Sequence, residues 1–247
     1  MHPIFYYILF YLLLGGVGMA VANRKVEKQI SRQRWLKYFT YIGISGFVIL
    51  CIFLRSFNNL GVAIVIIGFL ELKKVNTASA IKKATFILSL LIYFTVGFGF
   101  WMFAEFFDRD WHLFIYFQVL SFDAFCQITG QLFGRRKLIA ISPAKTWEGL
   151  LGGFIFCLIS SSLAAGWIHA TVFVSLVLGT LTAFTALSGD LLASYYKRKI
   201  GIKDYGDSLP GQGGLLDRFD SLMMTGMVYY FLTIIFRGYG QVGFFAQ

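Results

Sequence analysis

Residues 170–199 read ATVFVSLVLGTLTAFTALSGDLLASYYKRK. Twenty residues without a charge, 170–189, lead to a single aspartate, Asp190, and the stretch closes on Lys197, Arg198 and Lys199. As a helix, an uncharged run of that length spans the hydrocarbon core of a bilayer, and its cationic end belongs at the membrane–water boundary. Outward from it, comparable apolar runs recur at 3–23, 38–54, 56–72, 84–105, 111–128, 148–168 and 221–240. The 247 residues are 57% hydrophobic and only 14% charged, whereas a soluble domain carries about 25% charged residues. The expected fold is therefore all-α: a polytopic transmembrane helical bundle of about eight spans. The first run has no basic segment before it and no cleavage-like end, so it reads as a retained helix. No linker, repeat or low-complexity tract divides the chain. Residues 1–247 are expected to form a single membrane domain, with 1–120 as packing or lipid-access helices and 121–247 carrying the chemistry.

The net charge of +10 follows a topological pattern. With eight spans, the connections 24–37, 73–83, 129–147 and 193–220 share one side and hold 19 of the 22 Lys and Arg residues. Arg55, Arg109 and Arg237 fall opposite. Such an asymmetry marks the cytoplasmic side, which puts both termini outside. The positive charge thus reports orientation first and anionic lipid or nucleotide second, and nucleic acid is not an expected partner. Cys51, Cys126 and Cys157 lie in or beside apolar runs without paired spacing, so neither a disulfide framework nor a zinc site follows. His2, His112 and His169 fall at the predicted outer ends of helices. The glycine-lysine phosphate loop, the serine nucleophile elbow and the paired-histidine zinc motif are all absent.

Chemistry concentrates in residues 194–220, SYYKRKIGIKDYGDSLPGQGGLLDRFD. Four cations, Lys197, Arg198, Lys199 and Lys203, precede a turn, Pro210 to Gly214, whose Gly213 and Gly214 would let backbone N–H groups approach phosphate. Asp217 and Asp220 follow at i, i+3 on one helical face. Capping a helix start is the plainer account of that pair. It does not account for Asp190, since a buried, unpaired carboxylate is costly and calls for a metal, a cation or a proton. Asp190, Asp217 and Asp220 together resemble the hard oxygen set that Mg²⁺ takes alongside phosphate. A second stretch, 142–153 (SPAKTWEGLLGG), reads as a helix start with Trp147 at the interface and Glu148 early in the first turn. Its Ser142, Lys145 and Thr146 are equally suited to phosphate. Asp123, inside the fifth run, is another intramembrane acid in need of a partner.

The order Ser194-x-x-Lys197-Arg198-x₄-Lys203-Asp204, then Pro210-Gly211-x-Gly213-Gly214-x-x-Asp217-Arg218-x-Asp220, closely resembles the signature of phosphatidate cytidylyltransferases. Asp123, Gly130, Phe133-Gly134, Ser142-Pro143-x-Lys145-Thr146-Trp147-Glu148-Gly149 and Ser188-Gly189-Asp190 match the same family in order, so the likeness covers roughly residues 120–222. The resemblance implies joining CTP to phosphatidate, giving CDP-diacylglycerol and pyrophosphate, with Mg²⁺ and, in some accounts, K⁺. Asp190 and Asp217, helped by Asp220, would hold metal. Lys203 and Arg218 would complete the catalytic set, and Ser142, Lys145, Thr146, Lys197, Arg198, Gly213, Gly214 and Asp123 would bind substrate. It further implies a multi-pass protein of the bacterial cytoplasmic membrane with its site facing the cytosol, for which a homodimer is one oligomeric state to test. Two positions depart from the family pattern: Gln212 stands where histidine is usual, and Ala193 where an acid is usual. They keep open a paralogue acting on another lipid phosphate or prenyl alcohol, and a non-catalytic lipid- or nucleotide-binding homologue.

Overall fold

The computed structural model describes residues 4–24, 26–78, 82–139, 141–209 and 213–238. Each expected apolar run coincides with an α-helix: α1 (Ile4–Ala22), α2 (Lys28–Phe53), α3 (Phe57–Ala78), α4 (Lys83–Phe106), α5 (Arg109–Phe133), α6 (Trp147–Ala164), α7 (Val172–Lys199) and α8 (Leu216–Gly238). Six of them, α2 and α4 to α8, are long and apolar enough to cross a membrane. The fold is the expected all-α membrane bundle. A short antiparallel hairpin, β1 (Lys137–Ile139) with β2 (Ser142–Thr146), pairs Lys137 with Thr146 and Ile139 with Ser142 in what the apolar pattern leaves as a plain connection.

Several helices run further than their apolar cores. The first turns of α2 (KQISRQRWLK) are helical although charged, because Lys, Arg and Gln are good helix formers and long cationic side chains reach past the apolar boundary. For the same reason α7 continues through Lys197, Arg198 and Lys199. Helix α8 starts early enough to include Asp217 and Asp220.

Helix α5 is the hub. Leu113 to Phe122 are buried without interruption, as expected for a helix surrounded on every side, and α1, α2, α6, α7 and α8 all pack against it. Helices α3 and α4 form a second layer that reaches the rest mainly through α8. Buried hydroxyls tie neighbouring helices together. Ser160 Oγ lies within hydrogen-bond distance of the hydroxyls of Ser121, at 2.7 Å, and Tyr11, at 3.0 Å, and Thr182 pairs with Tyr229 at 2.9 Å. Such bonds between helices replace the driving force that apolar contacts supply in water. The outer surface is rich in exposed Leu, Phe, Val and Ile (Phe10, Leu13, Phe39, Leu91, Phe173 and Phe184 among them), the composition a lipid-facing surface requires.

Candidate active site

At one end of the bundle a cavity of about 1070 Å³ collects residues from α1, α2, α5, β2, α7, α8 and the α7–α8 segment. That volume lies at the upper limit of small-molecule sites. Its wall includes Asp123, Ser142, Lys145, Thr146, Asp190, Lys197, Lys203, Gly213, Asp217, Arg218 and Asp220. Eleven expected site residues, scattered over almost a hundred positions, thus meet in one place. Arg198 and Gly214 do not line it. Arg198 is exposed and instead donates to Ile202 O at 2.9 Å and to Ile141 O at 3.4 Å, holding the hairpin to the end of α7.

The local sequence explains how each acid arrives. Gly189 lets α7 approach α8 closely: a Cβ there would stand 2.6 Å from Asp220 O and 2.7 Å from Met224 Cβ. That contact sets Asp190 beside the α8 acids. Lys145, carried on β2, bonds to Asp190, whose other oxygen accepts from Ser194 Oγ at 3.3 Å. Thr146 caps α6, accepting from Gly149 N at 3.1 Å, so the helix-start reading of this stretch holds. Glu148 turns back to accept from the N–H of Arg135 at 3.0 Å and of Arg136 at 3.3 Å. Asp123 projects from α5, where the charges of Asp190, Asp220, Lys145 and Arg218 all act on it, and it forms no hydrogen bond with a described residue.

Asp217 and Asp220 have different surroundings despite their spacing. The Asp217 side chain is fully buried; Oδ1 meets Lys197 Nζ at 2.6 Å, and Oδ2 accepts from Tyr205 N at 2.8 Å and Gly214 N at 2.9 Å. Those bonds tie the α7–α8 segment to the first turn of α8. Asp220 accepts from the N–H of the next residue, Ser221, at 2.7 Å, and faces the cavity. Arg218 lines the same cavity, and its buried Nε has no hydrogen-bond partner among the described residues. Tyr205 is buried against Lys197, 5.3 Å from ring centroid to Nζ. Burial, reinforced by Asp220 and Asp217, pushes its phenol up, so it stays protonated. Gly213 has φ +85°, and a Cβ there would stand 3.0 Å from Asp217 Oδ2, so conformation and space both require glycine. Gln212 lies outside the described residues, with Pro210 and Gly211. Ala193 is partly buried against the core.

Among the described residues, no three His, Cys, Asp or Glu side chains converge as a ready-made metal cage. Mg²⁺ does not need one: it is commonly held by one or two carboxylates, with waters and substrate phosphates completing its octahedron. The carboxylates of Asp123, Asp190 and Asp220 line one cavity, one of them without a hydrogen-bond partner among the described residues, and oxygen donors of this kind fit such an ion.

Some participants are not apparent from the motifs. Gln33, Arg34, Lys37, Tyr38 and Tyr41 of α2 line the cavity, with Tyr11 and Gly15 of α1, so the site draws on both halves of the chain. Glu71 of α3, buried, accepts hydrogen bonds from the segment that follows the glycine turn. It sits where an apolar run ends (GFLELKK) and resembles an ordinary boundary acid. The rule that acids at membrane depth are functional candidates is the signal that could have singled it out.

Fold and cavity together define a multi-pass membrane protein with acids and cations gathered on one polar cavity. The chain belongs to the cytidylyltransferase family, which it matches over residues 3–236. It is 39% identical over 125 residues to phosphatidate cytidylyltransferase 4, chloroplastic, of Arabidopsis thaliana, covering 49% of this chain and 32% of that protein. It is 37% identical over 135 residues to the phosphatidate cytidylyltransferase of Rickettsia felis, covering 51% and 60%. An uncharacterized Escherichia coli protein, YnbB, is 42% identical over 104 residues, covering 41% and 35%. The matched stretch thus spans from about a third to three fifths of the length of these relatives.

Proposed function

We propose that the protein transfers the cytidylyl group of CTP to phosphatidate, giving CDP-diacylglycerol and pyrophosphate, at the cytosolic face of a bacterial membrane. The observation that carries this is the meeting of the family-signature acids and cations on one cavity at one end of a lipid-facing bundle. The curated relatives named phosphatidate cytidylyltransferase support the choice of substrates. The orientation rests on the 19 basic residues assigned to one side.

In the proposed reaction an oxygen of the phosphatidate phosphate bonds to the α-phosphorus of CTP, and the bond to the β-phosphate breaks, releasing pyrophosphate. The attacking phosphate is already ionised, so no general base is needed; positioning and charge neutralisation do the work. Lys145, Lys197, Lys203 and Arg218 would bind phosphate oxygens, and all four line the cavity. Ser142 and Thr146 would add neutral donors from β2. Asp190 and Asp220, with Asp123 beside them, would hold Mg²⁺, which supplies further neutralisation of the triphosphate when bound. Asp217 would join them only when Lys197 turns from it toward phosphate; otherwise it orders the loop.

Purified protein in nanodiscs should convert CTP and phosphatidate to CDP-diacylglycerol in the presence of Mg²⁺, read by mass spectrometry. Asp190→Asn and Asp220→Asn should each lower turnover by roughly 100-fold or more, the scale of losing an electrostatic partner in the transition state. Transfer of the γ-phosphate, or no CDP-lipid from any lipid phosphate with Mg²⁺ and K⁺, would overturn the assignment.

A further inference from the structure

Glu71 stands apart from the cavity, yet it holds the segment that carries the α8 acids. Its Oε1 accepts from Ser208 Oγ at 2.8 Å and from Leu215 N at 2.9 Å, and its Oε2 accepts from Leu216 N at 2.9 Å. Leu215 and Leu216 open α8, so this carboxylate of α3 binds the positive end of a helix that lies 144 and 145 residues away in sequence but adjacent in space. Gly214 is shaped to the same contact: a Cβ there would lie 2.6 Å from Glu71 Oε2. No cation among the described residues forms an ion pair with Glu71. The backbone N–H groups therefore balance its charge. Further along α3, Asn76 accepts from the Tyr196 hydroxyl and donates to Ser89 Oγ at 3.1 Å. Helix α3 thus grips the 196–216 segment at both ends.

The geometry points to Glu71 as a positioning residue for the reaction centre. It fixes the first turn of α8, and through Gly214 N and Tyr205 N that turn fixes Asp217, which in turn orients Lys197. Arg218 and Asp220 ride on the same turn. Glu71 itself does not line the cavity. Glu71→Gln keeps the shape but loses the charge and turns one acceptor into a donor facing N–H groups. Glu71→Asp keeps the charge on a shorter arm.

The activity readout rests on the cytidylyl-transfer proposal; the exchange readout does not. In nanodiscs, Glu71→Gln should lower kcat about tenfold or more while changing KM for CTP by less than about threefold, with Glu71→Asp in between. Hydrogen–deuterium exchange should rise selectively over residues 205–217, with α5 and α6 still protected. Unchanged kcat and unchanged local exchange would overturn the assignment, as would exchange rising equally across the bundle, which marks a general stability role. Should Glu71→Gln fail to fold, Ser208→Ala removes only one of the three bonds. It should raise exchange over the same segment, and no rise would count against Glu71. A wild-type protein that makes no CDP-lipid while Glu71→Gln still loosens 205–217 would sink the functional proposal and leave the positioning role standing.

Discussion

Asp217 and Asp220 sit three residues apart on one helix, and their neighbours separate their roles. Three protein donors surround Asp217, whereas Asp220 receives one local N–H and looks into the cavity. The Lys197–Asp217 pair is almost entirely out of solvent, with side-chain exposures of 10% and 0%. Breaking a buried pair by removing one partner leaves the other charge desolvated, at a cost on the order of 3 kcal/mol. Lys197→Met should therefore destabilise the protein markedly in denaturant titrations. In a double-mutant cycle with Asp217→Ala the two changes should be non-additive by about 1–3 kcal/mol. Additive effects would show that the pair contributes nothing through mutual contact.

At the scale of elements, the site depends on how closely helices approach. At Gly189 α7 and α8 approach closely, and Asp220 O and Met224 Cβ leave no room for a methyl group. Gly189→Ala should force the helices apart at a cost of about 1–3 kcal/mol, typical of overpacking, and should move Asp190 away from Asp220. Turnover should fall more than thermal stability alone accounts for. Gly166→Ala is the control, because a Cβ at Gly166 meets nothing within 4 Å. Equal behaviour of the two variants would refute the role given to the α7–α8 contact. The hairpin belongs to this scale as well. Three residues of β1 and five of β2 are enough to carry Lys145 onto Asp190, a placement that a plain loop would have to hold at higher entropic cost.

For the whole molecule, the distribution of charge yields a test of orientation. Lys199 ends α7 at the cavity end, and Arg109 opens α5 at the other; both are exposed. With Cys51, Cys126 and Cys157 replaced, a membrane-impermeant maleimide should label Lys199→Cys only when the cytosolic face is accessible. Arg109→Cys should be labelled only from the opposite face. The reverse pattern would place the cavity on the outer side and contradict CTP as its substrate. Either result leaves the bundle intact, since orientation follows from flanking charge and not from helix packing.

Apolar length and charge placement are sufficient to predict the eight helices and the all-α class, and the motifs supply eleven of the residues that line the cavity. Both are local properties: a bilayer-length uncharged run is helical wherever it lies in the chain, and an acid inside such a run stands out in one dimension. Helix ends lie beyond several apolar runs because hydropathy marks where lipid stops, whereas backbone hydrogen bonding continues through Lys, Arg and Gln. The partners of each acid were decided only in three dimensions. Nothing in the spacing of Asp217 and Asp220 distinguishes a loop organiser from a cavity carboxylate. Nothing near Glu71 in the chain foretells that its partners lie at Ser208, Leu215 and Leu216. Hydrogen bonds act over about 3 Å, so only the packing of α3 and α7 against α8 could assign them.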